Sequence, residues 1–163
     1  MTEILDHHQI NHKINRIAYQ IAEEFINESQ IVLAGIDQGG YQLALLIKEQ
    51  LAGILQVDIK LCRVTIDKRN PQDKVITSIP EGQYKNTAIV LCDDVLNSGT
   101  TLMYGVRHFL NVPLNSLKTA ILINRNHKKY PVKADYKGLS LSTTMEEHID
   151  VQIAQAPFTV TLA

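Results

Sequence analysis

Segments of helical periodicity alternate with short apolar runs along most of this chain. In three segments, apolar residues recur at three- and four-residue spacing, which predicts amphipathic helices. These segments are residues 8–28, 41–52 and 101–110. The apolar runs between and after them have the length of strands that are buried in a sheet. The predicted strands are residues 31–36, 57–66, 88–93, 117–123, 136–141, 149–153 and 158–162.

The order of these segments indicates the fold class. Strands that alternate with helices favour an α/β architecture, with a central parallel sheet flanked by helices. The last third of the chain holds only short strand-like runs, so we expect a small C-terminal region beside the main sheet. The chain has 163 residues and shows no internal repeat and no linker. Residues 1–163 are therefore predicted to form a single domain.

One long polar segment, residues 67–85, interrupts the alternation. It contains Pro71, Pro80 and Gly82 and shows little periodicity. Long loops in compact domains are usually either functional lids or disordered. Four basic residues lie in or beside this segment, and they are Arg63, Lys68, Arg69 and Lys74. We expect a lid, although a solvated charge-rich loop would have the same composition.

Composition narrows the classes of function. With 45% hydrophobic and 20% charged residues, the chain is neither disordered nor membranous. No apolar run approaches the ~20 residues that cross a bilayer, so no membrane partner is expected. The polar first ten residues do not resemble a secretory signal, which predicts a cytoplasmic location. The net charge of −1 provides no overall basic field for nucleic acid.

The most informative stretch follows the apolar run 88–92. It begins with two carboxylates, Asp93 and Asp94, and continues into a turn with hydroxyl groups and a glycine before the next helix. Main-chain N–H groups at a helix N-terminus favour an anion, and Gly99 permits the positive φ of a tight turn. Two carboxylates suit the vicinal hydroxyls of a ribose and the water shell of Mg²⁺. The pattern predicts a sugar-phosphate site, although helix caps and turns also use these residue types.

The run Asp93-Asp94-Val95-Leu96-Asn97-Ser98-Gly99-Thr100-Thr101 resembles the phosphoribosyl pyrophosphate (PRPP) motif of the type I phosphoribosyltransferases. Residues 122–138 resemble one subgroup, the bifunctional pyrimidine operon attenuation regulators and uracil phosphoribosyltransferases. Similarity to that subgroup extends from about His12 to Ile153. The resemblance implies a Rossmann-like fold and a homo-oligomer, either a dimer or a larger assembly. It also implies a Mg²⁺-dependent reaction in which a ring nitrogen of a nucleobase displaces pyrophosphate from C1′ of PRPP.

The resemblance further implies roles for individual residues. Asp93 and Asp94 would be the catalytic pair, holding the ribose hydroxyls and, indirectly, Mg²⁺. The 5′-phosphate loop would comprise Asn97, Ser98, Gly99, Thr100 and Thr101. The pyrophosphate loop and lid would include Asp37, Gln38, Gly39, Gly40, Arg63 and Arg69, although residues 37–40 also suit a plain strand-to-helix turn. Asn124 and Arg125 would bind the base.

Several residues depart from the family pattern. Asp37 stands where the subgroup usually has basic residues, Thr100 replaces a frequent basic residue, and Asn124 replaces an aspartate. Asn97 stands where purine-specific relatives carry an aspartate, and an amide cannot accept a proton from a purine ring. We therefore expect a pyrimidine substrate, with uracil preferred and UMP as the product.

Two other functions stay open at this point. One is a purine phosphoribosyltransferase acting on hypoxanthine or guanine. The other is a nucleotide-sensing, RNA-binding regulator of pyrimidine genes with weak or no catalysis. The regulator is suggested by the resemblance and by basic residues that could contact RNA. These residues are Lys13, Arg16, Lys128, Lys129, Lys133 and Lys137. The net charge of −1 counts against RNA, because phosphate contacts supply most non-specific affinity.

Overall fold

A computed structural model describes residues 1–163. The chain forms nine strands, three α-helices and one turn of 3₁₀ helix at Glu81–Gln83. The strands are β1 (Thr2–Leu5), β2 (Gln30–Ile36), β3 (Asp58–Thr65), β4 (Ile76–Thr77), β5 (Ala88–Leu96), β6 (Ser116–Arg125), β7 (Tyr136–Leu141), β8 (Ile149–Gln152) and β9 (Thr159–Leu162). The helices are α1 (His7–Glu24), α2 (Gly39–Ala52) and α3 (Thr100–Phe109). None of the helices combines the length and apolarity that crossing a membrane requires.

The main sheet has six strands in the order β4-β3-β2-β5-β6-β7. All neighbours in it are parallel except the edge strand β4, which pairs antiparallel with β3. Strand β2 lies between β3 and β5, so the chain changes direction across the sheet at the β2–β5 boundary. Ligands of open α/β sheets bind beyond the carboxyl ends of strands at such a switch point. The predicted α/β class is confirmed. The topology predicts a ligand-binding site at the loops after Ile36 and Leu96.

Helices cover both faces of this sheet and bury two apolar clusters. Helices α1 and α2 pack on one face over a cluster that includes Ile17, Leu43 and Val90. Helix α3 packs on the other face, where Phe109 is fully buried with residues of β2 and β5. Strands covered on both faces must be apolar throughout, which explains the continuous apolar runs in the sequence.

A second, antiparallel sheet joins the two ends of the chain in the order β1-β9-β8. Strand β1 was not expected, because Thr2–Leu5 is short, polar and without periodicity. Its partner is at the opposite end of the sequence, with Thr2 opposite Leu162. Such long-range pairing leaves no local signal. The small C-terminal region that we expected is therefore built from both termini.

Three predicted boundaries were wrong for physical reasons. Helix α1 ends at Glu24 rather than at residue 28, because Phe25 turns into the core and the amide N–H of Glu28 bonds to its carbonyl. Strand β5 continues past Asp93 to Leu96, because Leu96 pairs with Asn124 of β6. Strand β6 extends to Arg125, which pairs with β7. Asp94, Asn124 and Arg125 therefore lie within strands rather than after them, and Asp93 lies inside its strand rather than at the end.

The polar segment 67–85 has some regular structure. Strand β4 lies within it and extends the sheet edge, with Thr77 opposite Val64. Near the end of the segment, Tyr84 is buried, and its ring packs edge-on against that of Phe109 with 5.0 Å between centroids. The segment is thus anchored at its C-terminal end. Its role as a lid stays a prediction.

Candidate functional site

The ends of β2 and β5 meet at the switch point in direct contact. A Cβ atom on Gly39 would overlap the carboxylate of Asp94, and one on Gly40 would overlap the main-chain carbonyl of Cys92. Only glycine leaves room for the first turn of α2 to lie this close to β5. The sequence-predicted pyrophosphate loop and the predicted carboxylate pair are therefore neighbours in space.

The two carboxylates have different surroundings. The side chain of Asp93 is 5% exposed, and its Oδ1 accepts a hydrogen bond from the amide N–H of Asp94 at 2.9 Å. Asp94 is half-buried, and its Oδ1 accepts from the amide N–H of Val95 at 2.8 Å. Burial raises the pKa of Asp93, the nearby charge of Asp94 raises it further, and the ammonium group of Lys68 opposes both effects.

The raised pKa of Asp93 predicts that Asp93→Asn stabilises the protein above neutral pH. The folded protein binds the proton of the Asp93 carboxyl group more tightly than the unfolded chain does, because the pKa of this group is raised in the folded state. The stability that this proton contributes is present below the pKa of the unfolded chain and is lost as the pH rises through the pKa of the folded protein. We expect the variant to be more stable than the wild type at pH 8 by about 1 kcal/mol, which is about 2–4 °C in Tm. The difference should shrink at pH 4.5, as measured by thermal unfolding.

The control for this prediction is Asp58→Asn, because Asp58 is exposed at the opposite end of the sheet. It should leave Tm unchanged to within a degree at either pH. A variant Asp93→Asn that is less stable than the wild type at both pH values would contradict the proposed desolvation of this carboxyl group.

The predicted phosphate loop is a tight turn at the start of α3. Gly99 has a φ of 85°, which is the left-handed conformation that favours glycine. The hydroxyls of Ser98 and Thr100 are hydrogen bonded to each other at 2.8 Å. The carbonyl of Ser98 accepts hydrogen bonds from the amides of Lys129 and Tyr130 at 2.7 and 3.2 Å, which hold the loop from behind. Because α3 begins at Thr100, the N–H groups of its first turn have no acceptor within the helix.

This loop forms the wall of a small cavity of about 140 Å³. Asp93 and Lys68 also line the cavity, so a carboxylate of β5 and a cation of the polar segment face the same space. The remaining lining residues are Val95, Leu96, Asn97, Ser98, Gly99, Thr100, Thr101 and Leu102. The structure thus brings Asp93, the loop and one predicted lid cation together, while the carboxylate of Asp94 lies on the side of Gly39.

The two predicted arginines are in different places. The guanidinium of Arg63 lies 3.9 Å from the carboxylate of Asp37 and 4.3 Å above the centre of the Tyr41 ring. The guanidinium partly neutralises the charge of Asp37, which is the acid that departs from the family pattern. The main-chain amide of Arg69 donates to the side chain of Asp67 at 2.9 Å, and its own side chain makes no ion pair or hydrogen bond. The peptide bond between Asp37 and Gln38 is cis.

The two predicted base-binding residues also make different contacts. The side-chain amide of Asn124 donates to Ser140 Oγ at 3.3 Å, and its Oδ1 atom is buried without a partner. Arg125 is 7% exposed and donates to Asn97 Oδ1 at 2.9 Å. Its remaining hydrogen bonds run to Thr143 Oγ1, the carbonyl of Thr144 and the carbonyl of Glu147, at 2.8, 3.0 and 2.8 Å.

Sequence reasoning missed the segment that Arg125 holds. Residues 143–147 are polar and show no periodicity, so no signal in the sequence marks them as part of a site. They become visible only because four N–H groups of one buried guanidinium converge on this segment and on Asn97. Direct contact of Arg125 with a base stays a prediction, and only one of its N–H groups is free for it.

The chain matches known proteins over most of its length. The Phosphoribosyl transferase domain family matches residues 1–156. The chain is 33% identical to the "Bifunctional protein PyrR" of Corynebacterium glutamicum, covering 94% of this chain and 86% of that protein. It is 31% identical to the protein of the same name from Streptococcus gordonii, covering 94% and 91%.

Solved structures share the fold. A hypoxanthine-guanine phosphoribosyltransferase from Bacillus anthracis superposes with a TM-score of 0.81 at 19% identity, covering 100% of this chain and 97% of that one. The hypoxanthine phosphoribosyltransferase of Trypanosoma cruzi gives 0.80 at 14% identity, covering 99% and 95%. At these identities the likeness concerns the fold alone.

Proposed function

Because this chain belongs to the phosphoribosyl transferase domain family, we propose that it transfers the 5-phosphoribosyl group of PRPP to a pyrimidine, with uracil preferred and UMP as product. In this reaction a bond forms between N1 of uracil and C1′ of the ribose. The bond from C1′ to the pyrophosphate oxygen breaks, and its electron pair leaves with pyrophosphate. The proton of N1 is released to solvent.

The observation that carries this proposal is the meeting of three elements at one switch point. The carboxylates of Asp93 and Asp94, the start of α2 and the start of α3 are neighbours there. We assign the 5′-phosphate to the main-chain N–H groups and hydroxyls of residues 98–101, where a helix N-terminus favours a dianion. We assign the ribose hydroxyls to the two carboxylates, and pyrophosphate to the start of α2 with help from Lys68.

The carboxylate pair also fits a magnesium ion that binds together with the substrate. Mg²⁺ is usually held by one or two carboxylates, waters and substrate phosphates rather than by a cage of protein ligands. Adjacent carboxylates supply hard oxygen donors, and no cluster of three ligating side chains exists that would form an all-protein site. Asp93 and Asp94 would hold the ion directly or through water. The ion would offset the charge that develops on the leaving pyrophosphate.

A base panel tests this function. Purified protein is incubated with PRPP, Mg²⁺ and one of uracil, cytosine, orotate, hypoxanthine, guanine or adenine, and nucleotide formation is followed by chromatography. We expect UMP to form fastest and pyrophosphate to appear in equal amount. Absence of any nucleotide would contradict catalysis, and formation of IMP or GMP alone would contradict the pyrimidine assignment.

An RNA-binding regulator is the second candidate. Four exposed lysines favour it, because they lie close together in the sequence, in the loop before β7 and in β7 itself. They are Lys128, Lys129, Lys133 and Lys137. The net charge of −1 works against RNA affinity. Filter binding at low salt discriminates the two roles, since a regulator must prefer its target to a scrambled RNA of equal length.

We further propose a homo-oligomer and a cytoplasmic location. The outer face of α3 supports the homo-oligomer, because Leu110 is 62% exposed and lies with Met103, Val106 and Tyr130 around an apolar groove.

Two cysteines support the cytoplasmic location. Cys62 and Cys92 are both buried and unpaired, as is usual in a reducing compartment.

A further inference from the structure

A second cavity lies between the polar segment 67–85 and α3, outside the proposed active site. Its volume is about 340 Å³, which is within the range of pockets that bind small molecules. Residues 71–75 form one wall. Tyr104, Arg107 and His108 of α3, with Asn111 just beyond the helix, form the other. None of these residues lines the cavity of the phosphate loop, so the two cavities are separate.

The polar segment is packed against α3 where it forms this wall. Pro71 is buried and lines the cavity. Val75 packs against the apolar cluster that contains Phe109 of α3. Both ends of the wall are therefore held by apolar contacts, and we refer to this arrangement as the docked position of the segment.

Two cations line the cavity from opposite walls. Lys74 belongs to the polar segment and Arg107 to α3, and both are exposed. No ion pair of the chain involves either of them. The helix dipole favours a cation in the last turn of α3, which explains Arg107 alone. It does not explain a lysine that a separate segment brings to the same cavity. Two unpaired cations on facing walls suit a phosphate group.

The other lining groups suit the remainder of a nucleotide. Asp73 is the one acid of the cavity, and a carboxylate accepts hydrogen bonds from sugar hydroxyls. The ring of Tyr104 lies 5.8 Å from the guanidinium carbon of Arg107 and offers a planar apolar face. The side-chain amides of Gln72 and Asn111 both donate and accept, as the edge of a nucleobase does. An inorganic anion alone would leave the acid and these amides without a partner.

We propose that this cavity is a second nucleotide site, which binds a nucleoside monophosphate with its phosphate between Lys74 and Arg107. A ligand there contacts α3 and the polar segment at once, so it stabilises the docked position. Lys68, which precedes Pro71 in the same segment, lines the phosphate-loop cavity. A nucleotide in the second site therefore restrains the segment that supplies a cation to the active site.

Calorimetric titration with UMP tests the second site. We expect the wild type to bind two molecules of UMP per chain, one in each cavity, and Arg107→Gln to bind one. Lys85→Gln is the matched control, because it removes an exposed cation of the same segment outside the cavity, and it should bind two. Arg107 also borders the apolar groove of α3, so sedimentation checks that the variants keep the wild-type oligomeric state. An Arg107→Gln protein that binds as many molecules of UMP as the wild type would overturn the inference.

Gly99→Val isolates the second site, because Gly99 belongs to the phosphate loop and lies outside the second cavity. We expect this variant to bind one UMP, with shifts in the amide resonances of residues 72–75 and 107–111. Inorganic phosphate and uridine serve as probes of the two halves of the ligand. Each should bind at least about tenfold more weakly than UMP. Inorganic phosphate that binds as tightly as UMP would overturn the assignment to a nucleotide.

Trypsin cleavage after Lys74 tests the restraint on the segment. Val75 packs against the apolar cluster, so cleavage requires the segment to leave the docked position. A ligand that binds only the docked position, present at ten times its Kd, should slow cleavage about tenfold. This is measured in Gly99→Val with UMP, and uridine at the same concentration is the control. An unchanged cleavage rate would overturn the restraint.

The outcomes for the second site and for the transferase function are distinct. A wild type that forms UMP from PRPP, with equal UMP binding in Arg107→Gln, would overturn the second site and leave the transferase function standing. A wild type that forms no nucleotide, with UMP bound by the wild type and not by Arg107→Gln, would overturn the function and support the second site. The comparison of Arg107→Gln with the wild type does not depend on the folding of Gly99→Val.

Discussion

Gly99→Val is expected to lower kcat/KM for PRPP by about 100-fold or more. Gly99 has a φ of 85°, and a residue with a side chain pays about 1–2 kcal/mol in that conformation. A Cβ atom there would also lie 2.7 Å from Val132 Cγ1, so the loop or residues 130–132 must move. A displacement of about 1 Å in a substrate-positioning loop costs about 100-fold in rate. Steady-state kinetics and calorimetric titration with PRPP measure the effect.

The matched control is Gly82→Val in the polar segment. Gly82 has open space where its Cβ would stand, so a side chain at this position has room. We expect this variant to retain the activity and the PRPP affinity of the wild type. Far-ultraviolet circular dichroism checks that both variants are folded. A folded Gly99→Val protein that binds PRPP as tightly as the wild type would contradict the assignment of the phosphate to residues 98–101.

Asp94→Asn is expected to lower kcat/KM by about 100-fold, which corresponds to about 2.7 kcal/mol of transition-state stabilisation. Oδ1 accepts from the amide of Val95, so the variant must keep an oxygen there and place its NH₂ group on the side of Gly39. A donor would then face the proposed ribose hydroxyls and magnesium ion, both of which require an oxygen acceptor. We expect the Mg²⁺ concentration for half-maximal rate to rise as well.

Asp58→Asn is the control for this variant, because Asp58 is exposed at the amino end of β3 and touches no part of the site. Its kinetics should match those of the wild type. If Asp94→Asn kept wild-type kcat/KM and wild-type dependence on Mg²⁺, the carboxylate pair would not be the ribose and metal site.

The sequence predicted the main elements because their signals are local. The continuous apolar run 88–92 and the periodicity of α1 each specify an element without reference to distant residues. The ends of β5 and β6 were misplaced because Leu96 and Asn124 extend each other's strands. Asp93 was predicted at the end of its strand and Asp94 in the turn after it, whereas both lie inside β5, because the residues after Asp93 pair with residues of β6 that are 28 positions away in the chain.

The residues of the candidate site could be predicted from the sequence, but the contacts between them could not. The glycines at residues 39 and 40 suggested a close approach to an anion. That Gly39 lies against the carboxylate of Asp94 follows from the parallel pairing of β2 with β5, which no local pattern reveals. Asn97 and Arg125 were assigned to different functions. Their hydrogen bond joins them because β5 and β6 end side by side.

The central claim is that residues 98–101 form the binding site for the 5′-phosphate and that Asp93 and Asp94 hold the ribose. The crystal structure of this protein with UMP tests it most directly. We expect the phosphate of UMP within hydrogen-bonding distance of the main-chain N–H groups of residues 98–101, with the ribose hydroxyls at the two carboxylates. UMP bound in another cavity, with this loop empty, would contradict the claim.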